Sequence, residues 1–206
     1  MRGAQATIRN HITCWVGSSL LLTSMATPLA TASAQSNTEQ TQDLESDAKK
    51  DYPNRTYTDS VRQEGLKKAE TFNKSGKTDE EKIQHAIGTF FGFYFVNTRS
   101  HVTYCARLGV DISPFTKAFI AANKDIYEQS IKLLYRRGIT EEQLFKQLEP
   151  TLDSMTAKNL ADLAATEKLS TTQECQIQMQ NLEARITRVT FSKIMPEVSN
   201  TLLDAQ

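Results

Sequence analysis

The chain has 206 residues, with 24 basic and 24 acidic side chains and a formal net charge of +0. Without a basic surplus, neither nucleic acid nor an anionic membrane surface is expected as a partner. At 39 % hydrophobic residues it is long and apolar enough for one domain with a sizeable core.

Arg2 and Arg9 precede an apolar run that passes from Ile12 through Leu20, Leu21, Leu22 and Met25 to Leu29. Ala32-Ser33-Ala34 follows. Positive, then apolar, then small is the order of a secretory signal peptide, with cleavage expected before Gln35. Gly17, Ser18, Ser19, Thr23, Ser24 and Pro28 make the run a poor anchor, so residues 1–34 are expected to leave and no transmembrane anchor to remain. Cys14 lacks a lipid-attachment context and leaves with them. Of the 206 residues, 172 stay, carrying 22 basic and 24 acidic side chains and a net charge near −2. The expected destination is a bacterial periplasm or the outside of the cell.

Two cysteines remain, Cys105 and Cys175. In an exported chain an even pair is expected to form one disulfide; the alternative is two buried thiols. Asn54-Arg55-Thr56 and Asn73-Lys74-Ser75 match the N-glycosylation triplet, which matters only in a glycosylating compartment.

Residues 35–59 are polar, with Leu44 the one large aliphatic side chain, and read as a disordered tether. Residues 60–73 carry Val61, Leu66, Ala69 and Phe72 and predict a short N-terminal helix. Thr78-Asp79-Glu80-Glu81 is a capping box that opens a helix running to Leu108 and stopping at Gly109, roughly 45 Å long. Ser113-Pro114 opens a second, which ends at Gly138 after Arg136 and Arg137. Thr140 to Gln143 box a third, in which Pro150 predicts a kink or a split. Thr171 to Glu174 box a fourth that runs towards Met195, before Pro196. Residues 197–206 read as a tail with little pattern beyond Leu202 and Leu203. No stretch alternates with period two and no hairpin dipeptide occurs. The expectation is all-α: an up-down bundle of four main helices plus the short one, over residues 60–196.

The segment from Phe90 to Phe95 holds five aromatic rings in six positions. Its uncharged window, Gln84 to Thr98, is 15 residues, too short for a membrane span of about 20. At 100° per residue, Ile83, Ile87, Phe90, Tyr94, His101, Cys105 and Leu108 share a stripe of about 60°. Phe91, Phe95 and Val102 form a second beside it, as in an inner helix of a bundle. Cys105 ends the first long helix and Cys175 begins the fourth. Up-and-down alternation brings both to one end of the bundle, provided Pro150 does not reverse the third helix.

Candidate chemistry is sparse. His101 and Cys105 are spaced to touch one metal ion, but a zinc site needs further ligands. His85 lies about 160° away around the helix from His101. Cys105 as a nucleophile with His101 as base needs a reduced thiol, against the disulfide. Glu81 and His85 do not form the paired Glu-x-x-His of di-iron bundles. Tyr135-Arg136-Arg137 reads as a solvated helix end. No phosphate loop, GxSxG or HExxH occurs, and no cofactor is expected. Phe90, Phe91, Phe93, Tyr94 and Phe95, with His101, point in too many directions for one core face. The expectation is that the 60–73 helix or the tail covers them; the alternative is that they form a surface for a ligand or a partner. Three readings follow: a non-enzymatic exported factor that binds a partner protein; a carrier of an apolar small molecule in an aromatic-lined interhelical pocket; and an enzyme of unrecognised type around His101.

Overall fold

From residue 42 onward the chain is almost continuously helical, and no strand occurs among the described residues. The computed structural model describes residues 42–180 and 182–205. The expectations for the leader, 1–34, and for the first part of the tether lie outside them.

The tether expectation for 35–59 fails where it can be compared. Residues 42–51 form a helix, α1, with Leu44 and Ala48 buried. These two side chains, four apart, make a narrow apolar stripe that composition alone conceals. The polar flank is fastened to other helices. Glu45 pairs with Lys158 at 2.6 Å and Asp47 with Lys68 at 2.7 Å, and Asp51 pairs with Lys67. Exposed ion pairs contribute little individually. Together with the buried stripe they offset the ordering entropy that polarity seemed to leave uncompensated.

A turn leads to α2, Tyr57–Asn73, where the Thr56 hydroxyl accepts from the Asp59 N–H. The Thr78–Glu81 box opens α3, Asp79–Phe95. A π-helical turn, Val96–Ser100, joins it to α4, His101–Arg107. Gly109, at φ +76°, ends the run. The next expected helix is two: α5, Ser113–Ala122, and α6, Lys124–Arg136, with Asn123 between them and Gly138 at φ +73° after them. Pro114 sits in the first turn, but Ile112 is the cap, and Asp111 Oδ1 takes the Ser113 N–H at 2.8 Å. The Thr140–Gln143 box opens α7, Glu141–Glu167, which passes through Pro150 without splitting or reversing.

The fourth expected helix is a series, α8, Thr171–Ile177; α9, Leu182–Arg188; and α10, Phe191–Ile194, and a further helix, α11, Pro196–Asp204, follows it. The capping box of the series is Ser170 with Gln173, one residue before the one expected. Glu174 is instead buried and accepts from Gln178 Nε2 at 2.8 Å. The tail expectation for 197–206 is likewise corrected. Pro196 starts α11 from its first turn, and Val198 and Leu202 are buried.

Two of the unexpected breaks meet in space. Asn123, buried between α5 and α6, donates from Nδ2 to the Phe119 carbonyl at 2.9 Å. Its Oδ1 accepts the Phe191 N–H at 2.6 Å, capping α10, whose own Thr190 provides no side-chain cap. One amide therefore satisfies backbone groups at two helix ends, which is what a buried break needs.

The main core gathers around α3. α11 packs on α3, α6 and α2; α7 packs on α2, α8 and the π turn; α5 packs on α9. Cys105 and Cys175 are joined by a disulfide with Cα atoms 5.7 Å apart. They form a second, smaller core with Ile112 and Leu160. The fold is all-α, but two of the four expected long helices are not continuous: the second is broken once and the fourth twice.

Candidate functional site

His101, the first residue of α4, follows directly on the π turn. Such a turn widens the backbone spacing to i→i+5 and is frequent at functional positions. Here it places Asn97, Thr98, Ser100 and His101 all inside. His101 Nδ1 bonds the Val96 carbonyl, so Nδ1 carries the proton. Nε2 then accepts from Asn159 Nδ2 at 3.4 Å. Asn159 Oδ1 in turn accepts from the Thr58 hydroxyl at 2.6 Å, and the Thr58 N–H donates to Asp162 at 3.1 Å. This buried chain ties α2, α7 and α4 together. Burial pushes the His101 pKa down, against the opposing pull of the Val96 bond.

Both ring nitrogens of His101 are thus engaged by the protein. The cavity beside it, lined by Asn97, His101, Gln178 and Arg185 among others, measures about 20 Å³. That is room for about one water. Arg185 donates to Gln178 at 2.7 Å, and burial pushes the Arg185 pKa down and the Glu174 pKa up. Cys105, one turn beyond His101, is in the disulfide and offers no thiolate. Among the described residues no group of three His, Cys, Asp or Glu side chains stands close enough to hold a metal ion.

His85 is the other buried imidazole. It stacks on Phe72 with ring centroids 3.9 Å apart, and its Nδ1 has no partner. Burial pushes its pKa down to about 4. The unfolded chain binds this proton near 6.5, so the folded state binds fewer protons in between and loses stability as pH falls from 6.5 towards 4. Between pH 7 and pH 5 His85 is expected to account for a loss of about 2 kcal/mol, with His101 adding in the same direction. Glu174, raised by burial, works the opposite way. Urea unfolding at the two pH values, with His85→Phe alongside, checks this. The substitution should flatten the dependence; an unchanged slope assigns the loss elsewhere.

The aromatic run lies in the interior, covered by the two segments expected to cover it, α2 and the C-terminal stretch. Phe90, Phe91, Phe93 and Phe95 are 0 % exposed and Tyr94 is 2 % exposed. Phe90 meets Phe191 edge-on at 5.2 Å, Phe93 meets Phe119 at 5.7 Å, and Phe95 meets Phe145 at 5.2 Å. The rings point in many directions because α3 is surrounded by neighbours, α10 and α11 included. The phenolic tips are satisfied too. Tyr94 and Tyr127 both donate to Glu141, at 3.2 and 2.7 Å. Arg99 pairs with the same carboxylate at 3.3 Å while lying over the Phe145 ring at 3.9 Å. Burial, with Glu141 nearby, raises the pKa of Tyr94 and brings Tyr127 to about 12.

Open space lies elsewhere. A groove of about 380 Å³ runs between α2 and the segment from Ile194 to Val198. Leu66, Ala69, Ile194, Met195 and Val198 make its apolar floor, and Asn73, Glu70 and Glu197 stand among its polar groups. None of the expected site residues lines it. One wall belongs to the short helix, whose periodicity is loose, and the other to the supposed tail, so periodicity gave no pointer to it. The two glycosylation triplets also part company. Asn54 is exposed in the turn after α1, whereas Asn73 ends α2 and faces the groove. Among the described residues no helix is long and apolar enough to cross a membrane. Comparison with protein-family models, with curated proteins and with solved structures found no match.

Proposed function

We propose that the protein is an exported, non-enzymatic binding protein of the periplasm or the extracellular space, and that its groove holds an apolar small molecule. The order of Arg2, Arg9, the apolar run and Ala32-Ser33-Ala34 supports export with cleavage before Gln35. The disulfide is compatible with an oxidising compartment. In this reading the helical stretches 79–107, 113–136, 141–167 and 171–188 run up and down, an order supported by the bridge between the end of the first and the start of the last.

The observation that carries the binding role is the groove. Its volume, about 380 Å³, falls in the range of ligand sites, and its floor is apolar with a few polar groups at the edge. The space beside His101 takes about one water, which leaves an enzyme centred there without room for substrate.

Two measurements test this. Expression of the full chain should yield an exported form whose N-terminus is Gln35 by intact mass; a chain retained in the cytoplasm with residues 1–34 attached removes the export reading. Titration of that form with N-phenyl-1-naphthylamine should give saturable fluorescence enhancement. Gln63→Trp, which fills the groove from a half-exposed position, should weaken it at least tenfold with an unchanged melting temperature. Equal binding by this variant overturns the groove.

A further inference from the structure

The groove has a chemical sense as well as a volume. Asn73 closes one end of α2, and its Oδ1 is buried without a hydrogen-bond partner. Native proteins leave few such atoms unsatisfied, and a carbonyl oxygen is satisfied only by an N–H or O–H donor. Polar atoms at the end of an apolar trough fix the orientation of an occupant that is itself apolar along its length.

The charges at the edge favour the same kind of group. Lys67 pairs with both Asp51 and Glu64, and Lys74 pairs with Glu70 at 3.0 Å while also lying near Glu197. Of these charged groups Lys67, Glu70 and Glu197 line the groove, with an excess of one negative charge, and Lys67 and Glu70 already have partners. Glu197, in the first turn of α11 and lining the groove, has no ion pair within the described residues. A negative edge attracts a cation and repels an anion, most strongly where apolar walls lower the local dielectric.

We propose that the occupant of the groove is an apolar molecule with an amine head group, its N–H donors directed to Asn73 Oδ1 and its positive charge to Glu197. The apolar body lies along Leu66, Met195 and Val198. This inference rests on the groove being the binding site, and its test separates the two ideas. The exported chain, loaded with N-phenyl-1-naphthylamine at pH 7, is titrated with dodecylamine, dodecanol or dodecanoate below their micelle-forming concentrations. Dodecylamine is expected to displace the probe at a concentration at least tenfold lower than dodecanoate, with dodecanol between them. Glu197→Gln should cut the preference for dodecylamine over dodecanol several-fold, and Asn73→Leu should weaken both of these competitors while leaving dodecanoate unchanged. If dodecanoate displaces as well as dodecylamine, or Glu197→Gln changes nothing, the head-group inference is overturned and the groove stands. If the probe does not bind at all, both fall together.

Discussion

Replacing both bridge cysteines, Cys105→Ala with Cys175→Ala, is expected to lower the unfolding free energy by about 4 kcal/mol in the chain-entropy account of a closed loop of this length. The sulfurs are separated by 70 residues and tie α4 to the start of α8. Both cysteines are 0 % exposed, and Ile112 and Leu160 complete the small core around them. The bridge therefore removes a large set of open conformations from the unfolded chain, and its sulfurs fill interior volume in the folded one. Guanidinium unfolding of the double variant checks the figure. The unsubstituted protein, unfolded with reductant present, should approach the same midpoint. A loss below about 1 kcal/mol would show that the bridge does not restrain the unfolded ensemble in this way. Cys105→Ala alone opens the same bridge, leaves a buried free thiol at Cys175, and should unfold near the double variant.

Phe93→Ala is expected to cost 3–5 kcal/mol, the usual range for deleting a buried ring. Phe93 is 0 % exposed and touches Phe119 on α5 and Phe191 on α10, with centroids 5.7 and 5.2 Å away. Those are the elements that Asn123 joins, so the vacated volume lies beside a buried polar link and not beside side chains free to collapse. Leu203→Ala, on an exposed face of α11, serves as the control and should change stability by roughly 0.5 kcal/mol or less. Urea unfolding reads both. A loss near that of the control would mean that the neighbouring rings close over the gap.

The parts of this architecture that can be read from the chain are those written in local chemistry. Thr78 with Glu81, Thr140 with Gln143, and the glycines at 109 and 138 each satisfy or relax backbone groups within a few residues, so their positions survive folding. The pairing of Cys105 with Cys175 follows from where those boundaries fall. Other features depend on partners distant in sequence. Leu44 and Ala48 make α1 a helix only against neighbours that bury them. Asn123 interrupts one helix because Phe191 needs a cap. Pro196 reads equally as a stop and as a first-turn residue, and the burial of Val198 and Leu202 decides for the latter. The candidate site diverged for the same reason. The aromatic run is core because α2 and the C-terminal stretch cover it as expected, whereas the groove between those two segments is not legible because they carry the weakest periodicity. His101 is legible as a residue of the inner stripe, but its partner Asn159 and the Thr58 that bonds Asn159 sit 58 and 43 positions from it and share no motif with it.

The wide turn at Val96–Ser100 acts as a phase adjuster. Each residue of an α-helix advances the side-chain direction by about 100° and the axis by about 1.5 Å. Shortening this turn by one residue, to regular winding, rotates everything after it by that angle relative to α3. Both sulfurs would still be encoded, yet Cys105 would swing away from Cys175, and His101 would leave Asn159 behind. A single codon's worth of length, and no particular side chain, thus sets whether the two halves of this helix can meet their neighbours at once.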